Sequence, residues 1–168
     1  MFNKDDGRPP RILDLVKKKF VGVSSQVTFR LGSGGGGRHV VVLFSRGGNP
    51  ELLGRAALGG PKGKLGTFTP DKPEHKGVTA YIYEGAVGNE IADVLGPEGT
   101  NVDNVFATLI AHEVGHNLGL EHEASPGGMM FSYEDAGTTD RKMWLRAASK
   151  GTIEFKPWQL EKIRQQNP

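Results

Sequence analysis

The sequence predicts an α/β fold, in the broad sense that includes α+β arrangements, and three observations carry that expectation. Residues 23–31, 39–45 and 77–85 are rich in β-branched and aromatic side chains. Residues 9–20, 104–119 and 157–166 repeat apolar side chains at helical spacing. The 25 glycines and 10 prolines among 168 residues add many turns and long irregular connections. A chain of this length fits one domain, 1–168, that buries a core without covalent staples.

In chain order, PPRILDLVKKKF (9–20) places Ile12, Leu13, Leu15, Val16 and Phe20 near one face behind two prolines, which predicts a scaffold helix. Its Lys17-Lys18-Lys19 run reads as a solvated face. VSSQVTFRL (23–31) and HVVVLFS (39–45) read as strands joined by the glycine run GSGGGG. The turns RGGNP, LGGPKGKLG and TPDKPEH then leave room for a short helix around PELLGRAAL, or for a further strand such as LGTFT. GGPKGK and SGGGGR lack the spacing to a Gly-Lys-Ser/Thr ending that aims amides and a lysine at phosphate, so both read as turns.

GVTAYIYEG (77–85) is the third strand, with Val78, Ala80 and Ile82 alternating with Thr79, Tyr81 and Tyr83 across two faces. Asn101 to Asp103 offer N-cap oxygens to NVFATLIAHEVGHNLG, whose Phe106, Leu109, Ile110, Val114 and Leu118 supply an apolar side. Pro157 opens a closing helix, PWQLEKIRQQ, in which Leu160 and Ile163 repeat at helical spacing and Glu161 precedes Arg164 and Gln165.

Composition excludes several function classes. A net charge of +2 gives no strong field for nucleic acid or for an anionic membrane. The chain has no cysteine, which removes disulfides, thiolate zinc sites, thiol nucleophiles and any cysteine that masks a metal in a latent form. No apolar run reaches the length of a membrane span, and Met1-Phe2-Asn3-Lys4-Asp5-Asp6 is too polar to open a secretory signal. Either the native chain starts there and stays inside the cell, or a signal and any pro-segment precede it.

Three of the five histidines fall in AHEVGHNLGLEH, residues 111–122. His112 and His116 are four residues apart on the predicted helix, so both imidazoles reach one ion. Zinc favours nitrogen ligands at about 2.0–2.1 Å and, in catalytic sites, takes three protein ligands and leaves a position for water. On a continued helix His122 would point about 240° away from His116, so the chain must turn before it. Gly119 stands where that turn is needed, because glycine enters the left-handed conformation cheaply and commonly ends helices. Glu113 projects beside the metal without being required as a ligand and is placed to address the water. His39 and His75 have no partner spacing and read as solvent or core residues.

HEVGHNLGLEH matches in full the pattern H-E-x-x-H-x-x-G-x-x-H, so the chain resembles the metzincin clan of zinc peptidases. SPGGMMFSY follows the third histidine, and Met130 lies at the spacing of the matrixins' methionine turn, with Met129 as the alternative; VFATLIAHEVGHNLGLEHE is also similar to the adamalysins. The resemblance covers about thirty residues of the sequence. Departures stand beside it. Glu123 occupies a place usually held by serine or aspartate, Ser132 stands where astacin-like enzymes carry a tyrosine ligand, and Tyr133 is a candidate oxyanion partner. There is no upstream cluster like the one that binds the matrixins' structural zinc and calcium, so one catalytic zinc ion is expected.

The resemblance implies a metzincin-like fold. A twisted, mostly parallel mixed sheet, a backing helix and the metal helix would form an upper lobe (1–119), with a small irregular lower lobe (120–168) carrying His122, the methionine turn and the C-terminal helix. It implies an endopeptidase in which zinc on His112, His116 and His122 activates water and Glu113 serves as general base and acid. An extended substrate would pair along the edge of strand 77–85, with Phe131, Ser132 and Tyr133 walling the pocket just beyond the scissile bond. The expected partner is a protein or peptide substrate, with no nucleic acid and no membrane, and the expected state is a monomer. Two other readings use the same residues. One is a catalytically silent, zinc-stabilised module that binds extended peptides, against which the retained Glu113 argues; the other uses Glu134 or another distant carboxylate instead of His122.

Overall fold

In the computed structural model, which describes residues 7–25, 27–31, 41–45, 53–56, 79–96 and 100–166, a helix and a short turn precede three strands and four further helices. Helix α1 (Arg8–Lys19) carries Pro9 and Pro10 in its first turn and buries Ile12 and Val16, with Phe20 buried at its end, as the apolar spacing predicts. Lys17 and Lys18 are exposed, but Lys19 departs from the predicted solvated face and is buried. Its ammonium donates to the Gly151 and Ile153 carbonyls at 2.9 and 2.6 Å and to the Glu154 carboxylate at 3.2 Å. These bonds compensate the desolvation of the charge and tie α1 to a chain segment more than 130 residues away.

The strand expected over 23–31 does not form among the described residues. Val21–Val23 make a single 3-10 turn, the Val27 amide bonds the Val23 carbonyl at 2.9 Å, and the Phe29 ring packs on Phe20 at 4.8 Å. These apolar side chains complete the core against helices instead of pairing in a sheet.

Strand β1 (Val41–Ser45) lies parallel to β3 (Thr79–Tyr83), and β2 (Gly54–Ala56) lies antiparallel to β3, in the order β1-β3-β2. Among the described residues the sheet is therefore small and mixed, with one parallel and one antiparallel pairing, where a mostly parallel mixed sheet was expected. Residues 54–56 form a strand where a short helix was expected around PELLGRAAL, and the Leu53 carbonyl extends the pairing by accepting from the Tyr83 amide at 3.0 Å. LGTFT, the two glycine-rich turns and both His39 and His75 lie outside the described residues. The predicted alternation holds in β3, where Ala80 and Ile82 are fully buried and Tyr81 is exposed. With neighbours on both sides, β3 is the central strand and not the edge assigned to substrate pairing.

At Glu84 the chain enters α2 (Glu84–Val94), so Glu84 and Gly85 are helical and not the end of a strand. Only Val87 and Ile91 of α2 are buried, a sparse i, i+4 pair. Helix α3 (Val102–Asn117) starts where predicted, with the Asn101 side chain accepting from the Asn104 amide at 3.1 Å. Every residue from Val105 to Gly115 is buried, so α3 is a core helix enclosed on all sides. After it, the portion expected to be irregular apart from its closing helix contains two helices. Helix α4 (Thr138–Lys150) buries Trp144, Leu145 and Ala148, and α5 (Pro157–Gln166) buries Gln159 and Ile163. The Glu161 carboxylate meets Arg164 at 2.9 Å and Gln165 at 3.1 Å, the pairs its spacing predicts. Among the described residues no helix is long and apolar enough to cross a membrane.

Candidate metal centre

The site grows from the last two turns of α3 and the chain that returns beneath them. His112 and His116 project from one side of the helix, which ends in a glycine-based reversal. Gly119 has φ 95°, its amide bonds the His116 carbonyl at 2.9 Å, and the Leu120 amide bonds the Gly115 carbonyl at 2.9 Å. This paired capping satisfies two helix-end carbonyls and sends the chain back toward the helix, as predicted from Gly119. His122 then joins the other two histidines. One ligand-type atom from each lies within 4.8 Å of the others, and the rings of His112 and His116 stand 5.3 and 4.6 Å from that of His122.

Two carbonyls fix the helix-borne rings. His112 Nδ1 lies 2.8 Å from the Met129 carbonyl and His116 Nδ1 lies 2.8 Å from the Leu120 carbonyl. A carbonyl only accepts, so both Nδ1 atoms carry the proton and both Nε2 atoms present lone pairs. Those two Nε2 atoms face each other at 3.1 Å. Burial holds the His112 pKa down to about 3, with His116 adding to the fall, and burial lowers that of His116 too, so neither ring readily becomes imidazolium. Two lone pairs at that separation repel unless a cation lies between them. Nitrogens about 2.0–2.1 Å from a tetrahedral zinc would be about 3.3 Å apart. The donor set therefore fits zinc in its chemistry and in its spacing.

Both methionines after the third histidine are fully buried. Met130 lies under the helix, where its sulfur would be 2.7 Å from a Cβ placed on Gly115, so the methionine seats against backbone between the two histidines. Met129 contributes the carbonyl on His112. The pair thus divides a support role between a side chain and a backbone atom.

Glu113 is buried beside the histidines. Burial pushes its carboxyl up to about 8, and the Glu134 charge adds to the rise. Gly54 of β2 lies directly against this carboxyl, and a Cβ there would overlap Glu113 Oε1. The sheet edge can approach Glu113 this closely only because residue 54 is glycine. A cavity of about 20 Å³ opens next to Glu113, His112 and His122 and is lined also by Gly54, Phe131, Tyr133 and Trp144. That space holds a water or two.

The predicted pocket residues separate in the fold. Phe131 and Tyr133 line the cavity, whereas Ser132 is not part of its lining and donates its hydroxyl to Asp135. The Tyr133 hydroxyl donates to Glu90 of α2 at 2.7 Å, and burial, with that bond, raises its pKa. This commits the phenol to α2, away from the oxyanion role considered for it. Glu134 borders the cavity on the side of Glu113, outside the three-histidine cluster.

Sequence spacing missed Gly54, Glu90, Trp144 and the two orienting carbonyls, since each reaches the site through tertiary contact or through backbone. Only Leu120 left a trace, because its carbonyl is placed by the glycine cap that the spacing of Gly119 predicts.

A family model described as matrixin matches residues 38–149, a span that includes β1, β2, β3, α2, α3 and almost all of α4. No curated protein and no solved structure matches the chain.

Proposed function

The chain belongs to the matrixin family, and from that premise we propose that it is a zinc-dependent endopeptidase in which His112, His116 and His122 hold the ion and Glu113 handles the proton. The observation that carries this reading is the pair of carbonyl-fixed imidazoles whose lone pairs converge at 3.1 Å, with a buried carboxyl and a water-sized cavity beside them. When bound, zinc supplies a Lewis acid that acidifies water and polarises the scissile carbonyl.

The chain's own residues do the rest. The carbonyls of Met129 and Leu120 hold the two rings in one tautomer and orientation, which keeps Nε2 basic and directed at the ion. Glu113, walled in by Gly54, takes a proton from the attacking water in the cavity and returns it to the departing amine. Its high pKa without metal follows from burial; a nearby dication favours the carboxylate and makes it a usable base. β2 is the outer strand of the described sheet on the Glu113 side, so an extended substrate is placed to pair along residues 54–56.

Metal analysis and peptide-library cleavage of the wild type beside Glu113→Gln test the reading. The expected outcome is one zinc per chain in both proteins, with cleavage reduced about 10²- to 10⁴-fold in the variant. Equal cleavage by both, or zinc-loaded wild type that cuts no peptide, overturns it.

A further inference from the structure

Two fixed aromatic rings, those of Trp144 and Tyr133, line the cavity beside Glu113. Trp144 of α4 is 1% exposed and donates its indole N–H to the Gly128 carbonyl at 3.1 Å. Its ring meets that of Tyr133 edge-on at 5.5 Å, and Tyr133 is in turn held by Glu90. Neither ring can swing aside without breaking a hydrogen bond, buried for Trp144 and part-buried for Tyr133, which favours the observed cavity of about 20 Å³.

His112, Glu113 and His122 line this cavity together with the aromatic rings. A side chain that enters it therefore belongs to a residue adjoining the bond under attack. Space for a water or two accepts a hydrogen, a methyl or a hydroxymethyl group, and rejects a branched or aromatic side chain.

We propose that Trp144 and Tyr133 set the substrate class of this centre: proteins and peptides with glycine, alanine or serine at the residue next to the scissile bond whose side chain enters the cavity. Trp144 is the specificity-determining residue, because it fills the volume that a leucine or phenylalanine side chain would need. This inference rests on the endopeptidase reading, although the size of the pocket is a property of the chain alone. Discrimination between neighbouring sizes is expected at about 10- to 200-fold per methylene in kcat/KM.

Two measurements on the zinc-loaded protein separate the pocket from the activity. In the first, a peptide library randomised on both sides of the cut is digested by wild type, Trp144→Ala and Trp144→Phe, and the products are mapped by mass spectrometry. Wild type is expected to cut next to glycine, alanine or serine with kcat/KM at least tenfold above leucine or phenylalanine, and Trp144→Ala to raise cleavage next to the large residues at least tenfold. Trp144→Phe keeps an aromatic ring in the core and is expected to move the preference the same way by a smaller factor, which serves if the alanine variant fails to fold.

In the second, the dissociation constants of alanine- and leucine-containing peptides are measured on Glu113→Gln, and alanine is expected to bind at least tenfold tighter. Wild-type cleavage next to large residues at equal efficiency, or a preference unmoved in a folded Trp144 variant, overturns the pocket assignment while the endopeptidase reading stands. Size-selective binding by Glu113→Gln with no cleavage by wild type supports the pocket and overturns the endopeptidase.

Discussion

The two helix-borne histidines and His122 belong to one cluster but are held in place by different means. His112 and His116 stand on an enclosed helix, and each ring is locked by a backbone carbonyl at 2.8 Å. His122 is exposed, and among the described residues no hydrogen bond reaches its ring. Its position comes from its neighbour. The Glu123 amide bonds the Met130 carbonyl at 2.7 Å, and the Glu123 carbonyl accepts from Ser132 at 3.2 Å. The Glu123 carboxylate pairs with Lys156 and is approached by Gln159 of α5. One part of the site is thus ordered by the helix core, and the other is pinned to the methionine turn and to the last helix. Glu123 connects His122 to α5.

The comparison is broken most completely by removing the proposed ligands one at a time. His112→Ala and His122→Ala are both expected to lose stoichiometric zinc by mass spectrometry, and activity with it. They should differ without metal. In urea denaturation of the metal-free proteins, His112→Ala is expected to cost about 1–3 kcal/mol, because the Met129 carbonyl is left buried without a partner. His122→Ala, on the exposed segment, should stay within about 0.5 kcal/mol of wild type. Equal losses would show that the two regions are not built differently.

Glu123→Ala loosens only the return segment. A fall of about 10- to 100-fold in zinc affinity is expected, while the Nδ1–H signals of His112 and His116 persist in nitrogen-15 spectra of the metal-free protein. Loss of those signals together with the affinity would assign Glu123 to the helix side of the site. Gly119→Ala acts on the joint between the regions. At φ 95° a Cβ is strained, so a loss of about 1–2 kcal/mol in metal-free stability is expected from thermal denaturation.

A further effect is a pH slope confined to the buried region. In the metal-free protein the folded Glu113 carboxyl, raised to about 8 from 4.5, keeps a proton that the unfolded chain releases. Its contribution is present below about pH 4.5 and is lost as pH rises through 8. His112, lowered to about 3 from 6.5, has the opposite sense: the unfolded chain takes up the proton first, so stability falls as pH drops from 6.5 toward 3. Melting temperatures of wild type should therefore decline between pH 6 and 8, whereas those of Glu113→Gln should not; parallel curves would remove Glu113 as the cause.

The sequence alone determined what local spacing can encode. His112 and His116 share a helix face because they are four residues apart, Gly119 turns the chain because its backbone tolerates positive φ, and His122 follows at the length the turn requires. The same logic made α1, α3 and α5 readable from their prolines, caps and apolar repeats. It failed for α2, whose buried pair Val87 and Ile91 is sparse and interrupted by Gly88, and for α4, whose buried Trp144, Leu145 and Ala148 lie among charged residues.

Tertiary structure decided the rest: that 54–56 is a strand whose glycine admits Glu113, that Met129 and Leu120 lend carbonyls to the rings, that Lys19 is buried, and that Tyr133 and Trp144 line the cavity. Most of these join residues far apart in the chain, and the Leu120 contact depends on a backbone oxygen. Neither kind of contact has a residue pattern of its own, because a carbonyl is present at every position and only the fold selects which one faces a histidine.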